Sequence, residues 1–90
     1  MSDQPSASPL TFPCRFPIKV MGLASDAFAA RVVGIMRKHA PDLDEAAVER
    51  RASQGGKYLA LTVTIQARDR AQLDAIYQEL TACGEVLVAL

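Results

Sequence analysis

The chain predicts an α+β fold: a ferredoxin-like β-α-β-β-α-β sandwich, with a four-stranded antiparallel sheet and two helices on one face. Three observations carry this. Lys57 to Gln66 reads KYLALTVTIQ, a strict two-residue alternation, which is the period of a strand with one face in a core. Gly55-Gly56 stands just before it, and two glycines can supply positive φ at both centres of a tight hairpin turn. Segments of helical period flank the hairpin, one between Ser25 and Pro41 and one between Asp69 and Gly84.

The elements follow in order. Residues 1–11, MSDQPSASPLT, are polar and rich in proline and serine. They have little to bury and are expected to form a disordered tail, leaving 12–90 as one domain. In Cys14 to Gly22, CRFPIKVMG, Phe16, Ile18 and Val20 alternate with Pro17, Lys19 and Met21, which marks a first strand. Pro17 cannot donate to a ladder, so pairing begins at Ile18 or the strand carries a bulge. Ser25 is the N-cap of the first helix, with Asp26 in its first turn. Phe28, Val32, Ile35, Met36 and His39 share one helical face, and Pro41 stops the helix. Asp42 to Ser53 is ambiguous. EAAVERRA has helical propensity, yet the strand after Gly56 needs a partner and the segment before the turn is the nearest one. A strand at about Val48 to Ser53 is the reading adopted. Asp69 and Gln72 resemble a capping box, Leu73, Ile76, Tyr77 and Leu80 give the second helix its face, and Gly84 ends it. A final strand, EVLVAL, has two apolar faces: Val86, Val88 and Leu90 on one, Leu87 and Ala89 on the other.

Composition narrows the function classes. Half the residues are apolar and 22% are charged, the balance of a folded globular chain. A chain of 90 residues buries only roughly 60–65% of its unfolded surface, so a homodimer would be an ordinary way to add burial. Formal net charge is zero, which argues against a general polyanion binder. No apolar run approaches the ~18 residues of a membrane span, and the start has neither the basic nor the apolar region of a secretory leader. Cys14 and Cys83 match no metal or redox spacing, so two reduced thiols are expected.

Phe12-Pro13, Phe16 and Lys19-Val20-Met21-Gly22, then His39-Ala40-Pro41, then Ser53, Gly55 and Tyr58, then Tyr77, Glu79 and Leu80 occur in an order that resembles the YbeD-like group of small bacterial proteins, a domain of unknown function. The resemblance covers about Phe12 to Leu90. It implies a ferredoxin-like fold similar to the ACT regulatory domains, which bind small effectors such as amino acids. It also implies the bacterial cytoplasm, and it carries no catalytic residues to transfer. Members are often encoded near the gene for lipoyl or octanoyl transfer, which hints by association at lipoate metabolism. The hairpin, with Gly55-Gly56-Lys57, is slightly longer than the family pattern.

Candidate site residues divide as follows. His39, the only histidine, sits in the last turn of a helix, where the dipole favours it. Asp42, Asp44 and Glu45 lack the spacing of a calcium loop and read as a capping loop, so no metal and no cofactor is expected. Arg15, Lys19, Arg50, Arg51 and Lys57 suggest a basic sheet surface, but RNA-binding sheets of this topology display several aromatics, and only Tyr58 is available; no nucleic acid is expected. Ala60, Thr62, Leu87 and Ala89, with Met21, form a weakly charged open face suited either to packing against another subunit or to a modest patch on a monomer. Met21, Gly22, Leu23, Ala24 and Ser25 join the first strand to the first helix. Their amides either hold a small carboxylate or simply make a tight capped turn; in ACT-like domains effectors bind near this loop at a subunit interface. The expected function is a non-catalytic, small-molecule-binding regulatory or sensor domain, linked to lipoate or amino-acid metabolism. The alternative is an adaptor that docks its sheet face or last strand on a protein.

Overall fold

The computed structural model describes residues 11–90; of the expected tail, 1–11, all but Thr11 lies outside the described residues. The element order is β1 (Cys14–Leu23), α1 (Asp26–His39), a one-turn 3₁₀ helix (Glu45–Ala47), β2 (Val48–Ala52), β3 (Tyr58–Ala67), α2 (Arg70–Ala82) and β4 (Val86–Ala89). The four strands form one antiparallel sheet in the order β2-β3-β1-β4. This is the α+β arrangement expected from the alternation and the two helical periods.

The alternating residues build the core. Ile18 and Val20 of β1 and Leu61, Val63, Ile65 and Ala67 of β3 are buried against Phe28, Ala29, Val32 and Met36 of α1 and Leu73, Ile76 and Leu80 of α2. Ser25 caps α1 by accepting a hydrogen bond from the Phe28 amide at 2.9 Å, and Asp69 caps α2 by accepting from the Gln72 amide at 2.8 Å. Gln72 is buried and ties the helices together. Its Nε2 donates to the His39 carbonyl at the end of α1 (2.8 Å), and its Oε1 accepts from the Arg68 amide (2.7 Å).

β2 forms despite the helical propensity of its sequence. That propensity survives only as the 3₁₀ turn, where the Asp44 carboxylate accepts from the Ala46 amide at 3.0 Å. An isolated helix of such length is marginal, whereas the strand pairs with β3 in unbroken register from Val48↔Val63 to Ala52↔Leu59. The hairpin between them is looser than a two-residue turn. The Gly56 amide donates to the Ser53 carbonyl at 2.8 Å, which puts Gln54 and Gly55 at the turn centre. Both glycines have positive φ, 88° at Gly55 and 75° at Gly56. The Ser53 hydroxyl accepts from the Tyr58 amide at 2.9 Å and closes the loop.

β1 pairs with β3 along its whole length, from Cys14↔Ala67 to Leu23↔Tyr58. Pro17 is accommodated on the other side. The Lys19 amide donates to the Leu90 carbonyl at 3.0 Å, and alternate residues of a strand point their nitrogens the same way. The Pro17 nitrogen therefore faces the edge that β4 leaves uncovered among the described residues, where a missing donor breaks no ladder. The irregularity lies instead between Met21 and Gly22: Met21 pairs with Val88 but Gly22 with Val86, so Leu87 is the extra residue of a bulge.

Two expectations change here. The bulge shifts the faces of β4, so that Val86 and Ala89 pack on the core while Val88, beside Met21, takes the open side. Gly84 does not close α2 in a left-handed conformation. The extended Cys83 does so, its amide donating to the Leu80 carbonyl at 3.1 Å.

Candidate binding face

Among the described residues one face of the sheet carries no helix, and residue parity decides what it shows. β1 presents Arg15, Pro17, Lys19, Met21 and Leu23, and β3 presents Tyr58, Ala60, Thr62, Thr64 and Gln66. Across the strands, Met21 lies between Ala60 and Val88, Leu23 beside Tyr58, and Thr62 between Lys19 and Glu49. The large apolar side chains exposed among the described residues are Met21, Leu23, Tyr58, Leu87, Val88 and Leu90, ranging from 36% for Tyr58 to 69% for Leu90. All of them belong to this face or to the bulged strand at its edge.

The β1–α1 loop has a more constrained geometry than its sequence suggests. Gly22 is buried, and a Cβ there would come within 2.5 Å of both the Glu85 carbonyl and the Phe28 ring. The Ala24 amide is already spent on the Lys57 carbonyl at 2.9 Å, and Ser25 on its cap. Asp26 and Glu85 place negative charge beside the loop, Glu85 being paired with Arg31 at 2.6 Å. A groove of about 330 Å³ nonetheless opens there, between Leu23 and Leu87 above Phe28. It is shaped for an apolar group more than for an anion.

Of the expected interface residues, Ala60 and Thr62 lie at the centre of the open face and Leu87 is exposed at the bulge, but Ala89 pairs with Val20 and packs on the core. Val88 and Leu90 take the position expected of Ala89. Strict alternation missed them because a single extra residue reverses every later side chain; the only sequence signal was that both faces of the strand are apolar. His39 is tied to Glu79 of α2, which also accepts from Lys38 at 3.0 Å. These contacts, first His39 and then Lys38, hold the Glu79 carboxyl below its ordinary value of 4.5, and burial raises the Tyr77 phenol. No group of three His, Cys, Asp or Glu side chains placed to hold a metal occurs among the described residues. Cys14 and Cys83 are half-buried free thiols.

Residues 7–90 match the family model described as Protein of unknown function (DUF493). The chain belongs to the DUF493 family. Its relatives include a UPF0250 protein of Chromobacterium violaceum, 53% identical over 88% of this chain and 89% of that one, and a UPF0250 protein of Pseudomonas paraeruginosa, 45% identical over the whole of both. The YbeD-like resemblance read from Phe12 to Leu90 is thereby borne out. Two solved structures share the fold of this DUF493 chain. The solution structure of protein HP0495 from H. pylori superposes with a TM-score of 0.74 at 16% identity, over 100% of this chain and 98% of that one. The ACT domain from the GTP pyrophosphokinase of Chlorobium tepidum gives 0.64 at 14% identity, over 84% of each. No helix among the described residues is long and apolar enough to cross a membrane.

Proposed function

We propose that this DUF493 chain is a regulatory binding module of ACT type that works without catalysis, docking the open face and last strand of its sheet on a protein partner in the bacterial cytoplasm. The observation that carries this reading is that Met21, Leu23, Tyr58 and Val88 are exposed together on the open face, with Leu87 and Leu90 exposed at its β4 edge. Contiguous exposed apolar surface on a small domain marks an interaction site more often than it marks nothing. Affinity capture from the native cell with the parent and with a Leu87→Ser/Val88→Thr variant, both checked for folding by circular dichroism, tests it. A protein recovered stoichiometrically by the parent and lost by the variant supports the reading; equal recovery by both refutes it.

A second reading keeps a small-molecule effector, a carboxylate with an apolar body such as lipoate or an amino acid, at Met21 to Ser25. The groove between Leu23 and Leu87 favours it. With the acidic Asp26 and Glu85 beside the groove, this reading has the apolar part, not the carboxylate, entering it. A ligand at about a hundred times its Kd would stabilise the fold by roughly 2.7 kcal/mol, a melting shift of about 10–20 °C for a domain of this size. No shift with any amino acid, lipoate or related carboxylate at millimolar concentration removes this reading.

A further inference from the structure

The strands of the sheet are charged unlike the rest of the molecule. They carry Arg15, Lys19, Arg50 and Arg51 against a single acid, Glu49. The chain as a whole has zero formal net charge, so the balancing negative charge rides on the helices, loops and tail. None of these four cations forms an ion pair among the described residues; the ion pairs found join Arg31, Lys38 and His39 to Glu85 and Glu79.

Three of these cations are also placed around a shape. Lys19, Glu49, Arg50 and Arg51 rim a shallow depression of about 550 Å³ floored by the small Ala60 and Thr62 of β3. Next to it lies a smaller hollow of about 160 Å³ bounded by Met21, Ala52, Tyr58 and Ala60. Arg51 and Ala60 belong to both, so an apolar hollow and a cationic depression form one continuous surface.

Resting on the docking reading above, we propose that the open sheet face binds an acidic protein segment, with an apolar side chain in the Met21–Tyr58 hollow and neighbouring carboxylates over Lys19 and Arg51, which share that face by register. Opposite charges complement one another across an interface and steer the encounter. The same charges disfavour pairing of this face with its own copy, because a face-to-face dimer sets cation against cation. Nucleic acid would satisfy the charge but leaves the hollow unfilled, and Tyr58 is the only stacking surface offered.

Selection of the full-length protein against a random 12-residue peptide library tests this. Binding of the selected peptides is measured by fluorescence anisotropy and mapped by amide chemical shifts. The expected peptides are acidic with at least one large apolar residue, shift the amides of β1 and β3, and lose about tenfold or more in affinity in Lys19→Glu/Arg51→Glu, a variant checked for folding by circular dichroism. Affinity should also weaken as salt rises, as exposed charge pairs require. Neutral or basic peptides on the same face would overturn the acidic-partner inference and leave the docking reading standing. Peptides mapping elsewhere, or no enrichment, would overturn both. Single-stranded RNA binding as tightly as the best peptide, or a dimer by light scattering that the double variant strengthens, would overturn the inference in favour of those occupants.

Discussion

Adding one methyl group at Gly22 tests the packing of β1, α1 and β4 together. A Cβ there would lie 2.5 Å from the Glu85 carbonyl oxygen and 2.5 and 2.8 Å from two ring carbons of Phe28, roughly 1 Å inside normal contact. Neither neighbour can give way cheaply. Phe28 is 1% exposed, and the Glu85 carbonyl is main chain entering β4, held by the Val86↔Gly22 pairing. Overpacking of this kind costs about 1–3 kcal/mol, and a main-chain obstacle puts Gly22→Ala at the upper end. At about 4–8 °C per kcal/mol for a domain of this size, the melting temperature should fall by roughly 10–25 °C. Gly34→Ala is the internal control. Gly34 lies on the exposed face of α1 with nothing within 4 Å of its added Cβ, so the same methyl there should stabilise by about 0.8–1 kcal/mol through helix propensity. Thermal melts by circular dichroism, with urea midpoints at constant m, separate the two. If Gly22→Ala melts at or above the parent, or no lower than Gly34→Ala, the close approach at Gly22 does not govern the fold.

Other substitutions probe the turn, the helix tie and the ion pair. Gly55→Ala and Gly56→Ala each impose a side chain on a positive-φ residue and should cost about 1–2 kcal/mol apiece by urea denaturation. Gln72→Ala removes hydrogen bonds to the His39 carbonyl and the Arg68 amide and should cost about 2 kcal/mol, with faster exchange of the Arg68 amide. The Glu79 carboxyl is held below its ordinary value by His39 and Lys38, so its contribution is present above pH ~4.5 and is lost as pH falls below it, where the unfolded chain takes up the proton first. The stability difference between the parent and Glu79→Gln should therefore be fully present above pH ~4.5 and shrink as pH falls below it, as chemical denaturation across pH would show.

What the sequence disclosed followed the strength of its local period. KYLALTVTIQ, the Phe28–Met36 face and the Leu73–Leu80 face each repeat often enough to set orientation, and the structure uses them as read. β2 was legible only through its neighbour, because EAAVERRA states one preference and the unsatisfied edge of β3 imposes another. The open face was half legible. Ala60 and Thr62 followed from alternation, but Val88 and Leu90 depended on a bulge opposite Met21 and Gly22, a pairing between segments more than 60 residues apart. The His39–Glu79 pair, its members 40 positions apart, left no spacing to find.

Pro17 decides which borders of the sheet remain open to other chains. Among the described residues no strand pairs with the outer sides of β2 and β4, and a foreign strand can continue the ladder there, except at the Val48 and Val86 amides, which already donate to the Glu45 and Cys83 carbonyls. Along the stretch of β1 that β4 does not reach, the proline ring removes the donor such a strand would need. Among the described residues the edge that runs beside the core is thus weakened, with the Arg15 amide left as its donor, and strand-by-strand growth, useful or harmful, is favoured at the two flanks.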